Sequence, residues 1–181
     1  MSTEYLMETF TPEESAFQCQ DELVAIVPHE GMKELSLPGW TLPALKALQQ
    51  TEVPLWVAVL LKKQDRCDIK FPDWLNQESL HSKVELERNS SELCPMPWHW
   101  QTMAQMLLRA AHTDLDGDLE TVRTLLRDLA ELRLSKIRSG ISESLERGGI
   151  VNLGGMGAME LDQVRPILTK GMDILNKLPR R

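Results

Sequence analysis

Val122-Arg-Thr-Leu-Leu-Arg-Asp-Leu-Ala-Glu-Leu-Arg-Leu-Ser-Lys-Ile-Arg138 is a helix by its spacing. Val122, Leu125, Leu126, Leu129 and Leu132 recur three and four positions apart, and Ile137, Ile141 and Leu145, four apart, prolong the same stripe. Asp118 stands where an N-cap belongs, and Glu120 lies in the first turn, where the helix dipole favours an acid. Gly148-Gly149 stops the run. More than about 25 residues at 1.5 Å each make a helix about 40 Å long. That exceeds what a small single-chain bundle usually needs, so part of the stripe asks for a cover from outside the chain.

Downstream, a glycine-bearing connection from Gly148 to Gly157 leads to a last helix with Ile167, Leu168, Gly171, Met172, Leu175 and Leu178 inward. Pro166, lacking an N–H, belongs in its first turn or at a kink. Upstream, Trp98 to His112 places Met103, Met106, Leu107 and Ala110 on one face, with Pro97 at the first helical position. Asp73 to Arg88 is helical, with Trp74, Leu75, Leu80 and Val84 roughly on one side. Leu55 to Lys63 is an apolar helix ending on two lysines, and Cys67-Asp-Ile-Lys-Phe-Pro72 is an extended bridge behind it. Earlier still, Glu22-Leu-Val-Ala-Ile-Val27 reads as a buried strand stopped by Pro28, and Met32 to Leu37 is a candidate partner for it. Leu42 to Gln50 fits either a short helix or an extended connection. The class is α+β, mainly α: a small N-terminal β-containing domain, then a helical bundle with one long helix. The expected boundaries are an acidic flexible extension over 1–20, a β-rich domain over 21–61 and a helical domain over 62–181.

The chain has 181 residues, 42% of them apolar and 26% charged, so it can bury a core. Its net charge of −7 is unevenly placed: Glu4, Glu8, Glu13, Glu14, Asp21, Glu22 and Glu30 precede the first basic residue, Lys33, and the remainder is balanced. Sequence-independent DNA binding rests on a Lys/Arg excess facing phosphates, so strong direct DNA binding by the isolated chain is not expected. No apolar run approaches the roughly 20 residues of a membrane span, and no secretory signal opens the sequence. Three scattered cysteines, Cys19, Cys67 and Cys94, fit a reducing intracellular compartment. Five Trp (Trp40, Trp56, Trp74, Trp98, Trp100) supply most of the large apolar surface. Trp56 is assigned to the seam between the β module and the helices.

Motifs for chemistry fail on spacing. Asp114-Leu-Asp116-Gly-Asp118 opens like a calcium loop, but position 6 is Leu119 and position 12 is Leu125. Gly154-Gly155-Met156-Gly157 lacks the Lys-Ser/Thr of a phosphate cradle. His29, His81, His99 and His112 make no i,i+4 zinc pair, and no G-x-S-x-G occurs. No catalytic, cofactor-binding or metal-binding residue is therefore assigned; an enzyme with a site around Cys67, Cys94 and His99, and a helical adaptor of another nuclear complex, are the competing readings. On the long helix, Arg123, Arg127, Arg133, Lys136 and Arg138 flank the apolar stripe. Such a row is either a solvated face with pairs such as Arg127–Glu131 or a partner-facing one. The interface candidates are Val122, Arg123, Leu126, Arg127, Leu129, Arg133, Lys136, Ile137 and Arg138, with Trp98 and Trp100.

Several strings occur together in one order: Glu22-Leu-Val-Ala-Ile-Val-Pro28, Glu52-Val-Pro-Leu-Trp-Val-Ala-Val-Leu-Leu-Lys-Lys63, Cys67 through Pro72-Asp-Trp-Leu75, Pro95-Met-Pro97, Val122 to Arg138, and Met159-Glu-Leu-Asp-Gln-Val-Arg-Pro-Ile-Leu168. With them the chain resembles the second Psf type of GINS-complex subunit over about residues 20–178, and Val164-Arg-Pro166 is similar to fungal members. The resemblance implies a β domain placed before a helical domain and packing with three other GINS subunits in a heterotetramer. It further implies a nuclear, non-catalytic brace for the minichromosome-maintenance helicase ring and the Cdc-forty-five factor, with replicative polymerases contacted indirectly. Residues 38–51 and 147–158 match poorly, and Trp98-His-Trp100 is richer in tryptophan than the pattern expects.

Overall fold

The computed structural model describes residues 9–37, 40–146 and 153–177. The expected helix stop at Gly148-Gly149, Leu178, and the side chains of Trp40, Leu145, Met172 and Leu175 lie outside what it describes. Strand β1 (Leu23–Pro28) alternates inward Val24, Ile26 and Pro28 with outward Leu23, Ala25 and Val27, the period of a strand with one face on a core. It is the centre of a three-stranded antiparallel sheet, flanked by β4 (Thr51–Pro54) and β5 (Cys67–Lys70). Val24 lies opposite Val53, and Ile26 opposite both Thr51 and Ile69.

Two expectations are corrected here. The Met32–Leu37 stretch does not pair with β1. Its strand β2 (Leu35–Leu37) pairs instead with β3 (Trp40–Leu42), and Met32 forms a separate bridge to Leu45. Strands this short and this close in sequence pair locally at little loop-closure cost. The Cys67–Lys70 stretch is a strand rather than a bridge, with Cys67 and Ile69 inward, so the sheet extends past residue 61. Between β3 and β4, residues 43–50 carry no helix.

Helix α1 (Pro12–Cys19) occupies part of the segment expected to be a flexible extension. Thr11 and Glu14 form a reciprocal capping box: the Glu14 N–H donates to Thr11 Oγ1 at 3.2 Å and the Thr11 N–H to Glu14 Oε2 at 2.8 Å. Pro12 starts the helix and Cys19 is fully buried. Of the acids that read as tail, Glu13 and Glu14 are thus first-turn helix residues, and Glu4 and Glu8 lie outside the described residues. Helix α2 (Leu55–Lys63) follows β4 directly, buries Leu55, Val57, Ala58 and Leu61, and ends on Lys62 and Lys63. Trp56, in the first turn of α2, is half-buried, and its backbone N–H donates to the Gln20 carbonyl.

The bundle begins with a 3-10 turn at Asp73–Leu75, and α3 (Gln77–Asn89) starts behind an Asn76 cap that accepts the Ser79 N–H at 2.7 Å. Helix α4 spans Trp100–Ala110, so Pro97 sits ahead of the helix rather than at its first position. Asp118 caps α5 (Leu119–Glu146, 28 residues) by accepting the Thr121 N–H at 2.8 Å. Helix α6 spans Ala158–Lys177 with Pro166 inside it, and the Thr169 hydroxyl reaches back to the Arg165 and Pro166 carbonyls.

One core cluster runs from Cys19, Val24, Ile26 and Val53 through Leu55, Ala58 and Leu75 to Trp100, Leu107, Val122 and Leu129. A second, smaller one holds Ile137, Ile141, Met156 and Val164. At the seam, Asp114 accepts the Ile69 N–H at 2.8 Å with one carboxylate oxygen and Lys62 Nζ at 2.6 Å with the other. This satisfies a backbone donor on the outer edge of β5, which otherwise has no strand beside it. Asp68 extends the chain of charges, with Lys62 at 3.0 Å and His29 at 3.0 Å. No helix among the described residues is long and apolar enough to cross a membrane.

Candidate functional site

Helix α5 has two faces with different fates. Val122, Leu129, Arg133 and Ile137 face inward, and all four are at least 96% buried. Arg133 is the hub of that face. Its Nε and Nη2 donate to Glu160 Oε1 and Oε2 at 2.6 and 2.9 Å, Nη1 to the Cys94 carbonyl at 2.7 Å, and Nη2 to the Gly155 carbonyl at 2.8 Å. The guanidinium lies 5.9 Å from the Trp100 ring centroid and 3.5 Å from Glu87. Burial works against its charge, yet Glu160 and Glu87 together hold the guanidinium pKa above its ordinary value.

Around it, Lys136 Nζ pairs with Glu87 Oε1 at 2.6 Å and donates to the Glu87 and Glu92 carbonyls, while Glu87 Oε2 accepts the Cys94 N–H at 2.8 Å. Burial alone would raise the Glu87 pKa, but Lys136, the Cys94 N–H and thiol, and Arg133 outweigh it and hold it below the usual value. The cluster ties α3, the 90–97 connection, the 153–157 connection and α6 to one turn of α5. Gly155 serves it in a conformation that favours glycine, at φ +78°.

Arg133, Val122, Leu129 and Ile137 were expected to meet a partner; they are interior, as is Trp100, 1% exposed. Their sequence signal was sound for a helix face but did not say which neighbour covers it, and α3 and α6 do. Lys136 is spent on Glu87. Arg123, Arg127 and Arg138 are exposed and Leu126 is half-buried. Arg123 pairs with Glu120 at 2.7 Å; Arg127 makes no ion pair among the described residues, and the Arg127–Glu131 pair is not formed. Trp98 is half-exposed and caps the start of α6 through its carbonyl, which accepts the Ala158 N–H at 2.8 Å.

The second face of α5 is open. Leu119, Arg123, Leu126, Arg127 and Ala130 form one wall of a groove of about 980 Å³, closed by α1, α4 and the start of α6. Sequence reading missed its other walls. Pro12 and Ala16 of α1 come from the segment expected to be an extension, and Met159 and Gln163 from the first turns of α6, whereas Ile167, expected inward on that helix, is 41% exposed.

Chemistry-bearing groups do not converge on it. Among the described residues no three His, Cys, Asp or Glu are placed to hold a metal. Burial, helped by Glu22, pushes the Cys19 thiol up to about 12, and burial pushes Cys67 up to about 11; Cys94 is raised by burial and by Glu87. Such thiols stay protonated at neutral pH and are poor nucleophiles.

Residues 11–70 match the family model of the PSF2 N-terminal domain, and residues 74–178 match the Sld5 family model, the GINS complex protein helical bundle domain. Among curated relatives, the DNA replication complex GINS protein PSF2 of Debaryomyces hansenii is 34% identical, over 96% of this chain and 82% of that protein. Its namesake from Candida albicans is also 34% identical, over 96% and 85%, and that of Schizosaccharomyces pombe 35%, over 94% and 91%. These relatives are named as components of a complex, not as enzymes. A β-containing N-terminal module sealed onto a helical bundle, two family models matched in order, and identity sustained along nearly the whole length place this chain in the PSF2 family of GINS-complex DNA replication proteins.

Proposed function

We propose that the chain is a non-catalytic structural subunit of a heterotetrameric GINS complex. There it braces the replicative helicase, made of the minichromosome-maintenance ring and the Cdc-forty-five factor, during initiation and elongation of replication in the nucleus. Replicative polymerases are reached indirectly, and the isolated chain holds DNA weakly at most. The observation that carries this reading is the open face of α5, where half-buried apolar side chains and an arginine without an ion pair among the described residues line a groove that no described element fills. Family membership supplies both the class of partner and the non-catalytic class.

Size-exclusion chromatography with light scattering, on the chain alone and co-expressed with the other three subunits, tests it. The expected outcome is one clean species with one copy of each subunit. A well-behaved monomer that ignores those subunits overturns the reading.

A further inference from the structure

The groove against α5 is apolar on its floor and cationic on its rim. Ala16, Met106, Leu119, Leu126, Ala130 and Met159 line it and are half-buried, so each keeps surface that the described residues do not cover. Arg109 on α4 and Arg123 and Arg127 on α5 stand at its edge with His112, and no Asp or Glu belongs to the lining. Arg109 and Arg127 make no ion pair among the described residues. In a chain of net charge −7 this is a local reversal of sign. The α5 wall runs from Leu119 to Ala130, about three turns or about 16 Å.

We infer that this groove seats an acidic amphipathic helix from another subunit of the complex, three to four turns long. Its apolar i, i+3/i+4, i+7 stripe lies on the floor, and its Asp and Glu residues face Arg109, Arg123 and Arg127. Helix-in-groove recognition takes the area from the apolar stripe and the orientation from the flanking charges. Arginine suits the rim because its planar fork binds a carboxylate at two points while its stem covers apolar surface. The inference rests on the reading of the chain as a GINS subunit and adds which face is used and what chemistry the partner brings.

The test uses the full chain co-expressed with the other three subunits. A photo-crosslinking phenylalanine analogue is placed at Gln105 or Gln163, exposed positions on the two sides of the groove, and the captured peptide is sequenced. A net-acidic helical peptide from another subunit is the expected catch. In parallel, Arg109→Glu/Arg127→Glu weakens assembly roughly tenfold or more while the far-ultraviolet spectrum and melting temperature of the chain alone stay as they were, since both side chains are exposed and unpaired. Reversing the acids of the captured helix to arginine restores assembly with the double variant.

Capture of the chain's own residues 1–8, capture of a second copy of this chain, or assembly of the double variant at unchanged affinity each overturns the inference and leaves the functional reading standing. Failure of the unmodified chain to assemble at all brings down both.

Discussion

Arg133 has no surface in water, and its charge is tolerable only because Glu160, two carbonyls and the nearby Glu87 answer every part of the guanidinium. Removing one side of a buried pair leaves the other charge desolvated and alone, at a cost of about 3–5 kcal/mol, whereas replacing both by apolar groups of similar volume is often neutral. Arg133→Met is therefore expected to lower the unfolding free energy of the full chain in urea by about that amount, and Arg133→Met/Glu160→Leu to recover most of it. A double variant as unstable as the single one would mean that the carbonyl contacts, not the ion pair, dominate.

At His29 the linkage has the opposite sign from a buried carboxylate. Hydrogen bonds to Asp68 and to the Asp65 carbonyl raise the pKa of His29 above its ordinary 6.5. Its contribution is thus complete below pH 6.5 and fades as pH rises through the folded value. Glu87, held below its ordinary value, contributes above about pH 4.5 and is lost as pH falls through its folded value. A proton resonance titration of His29 should give a value above 6.5 that relaxes toward 6.5 in Asp68→Asn; no change on that substitution would remove Asp68 as the cause.

Along the elements, two glycines separate propensity from packing. Gly140 lies inside α5, exposed, with nothing within 4 Å of where a Cβ would stand. Gly140→Ala should raise stability by about 0.5–1 kcal/mol, the entropy that glycine loses in a helix. Gly157 precedes α6, and a Cβ there would meet Trp100 at 3.0 Å and the Trp98 carbonyl at 3.1 Å. Because Trp100 is buried and fixed, Gly157→Ala should cost about 1–3 kcal/mol by overpacking. Urea unfolding of both variants reads the two signs directly, and equal signs would refute the packing account.

The same contrast explains what the sequence made visible. α5 declares itself through its 3.6-residue stripe and its Asp118 cap, α2 through an apolar run ending on two lysines, and α3 through a looser stripe whose first residues, Asp73–Leu75, form a separate 3-10 turn. β5 does not, because four residues of alternating Cys67-Asp-Ile-Lys70 look the same in a bridge and in an edge strand until β1 is placed beside them. Likewise the row of cations on α5 was legible, but not its division into Arg133 inside and Arg127 outside. That division depends on where α6 brings Glu160, 27 residues away.

At the scale of the whole molecule, the two segments recognised by family models, 11–70 and 74–178, share one core. The same buried cluster contains Val24, Ile26 and Ile69 of the sheet, Ala58 and Leu61 of α2, and Leu75, Leu107 and Leu129 of the bundle. α2 belongs by sequence to the first segment, yet it packs on β1, β4 and β5 and also on α4. Asp114, from the connection between α4 and α5, satisfies a backbone donor on the β5 edge. A three-stranded sheet with so few residues cannot hide its inward face without α2 and the helices behind it, since small units bury too little surface to offset their chain entropy. The seam between sheet and bundle is therefore a folding interior rather than a hinge.

It follows that residues 11–70 and 74–178, expressed separately, should each show a poorly dispersed amide spectrum and no cooperative melt, while the intact chain melts in a single transition. Mixing the two pieces should restore dispersion, because the cluster needs both halves present but not covalently joined. A well-dispersed spectrum from 11–70 alone would show that the sheet and α2 close their own core. The contacts across the seam would then be an interface between two domains that move independently.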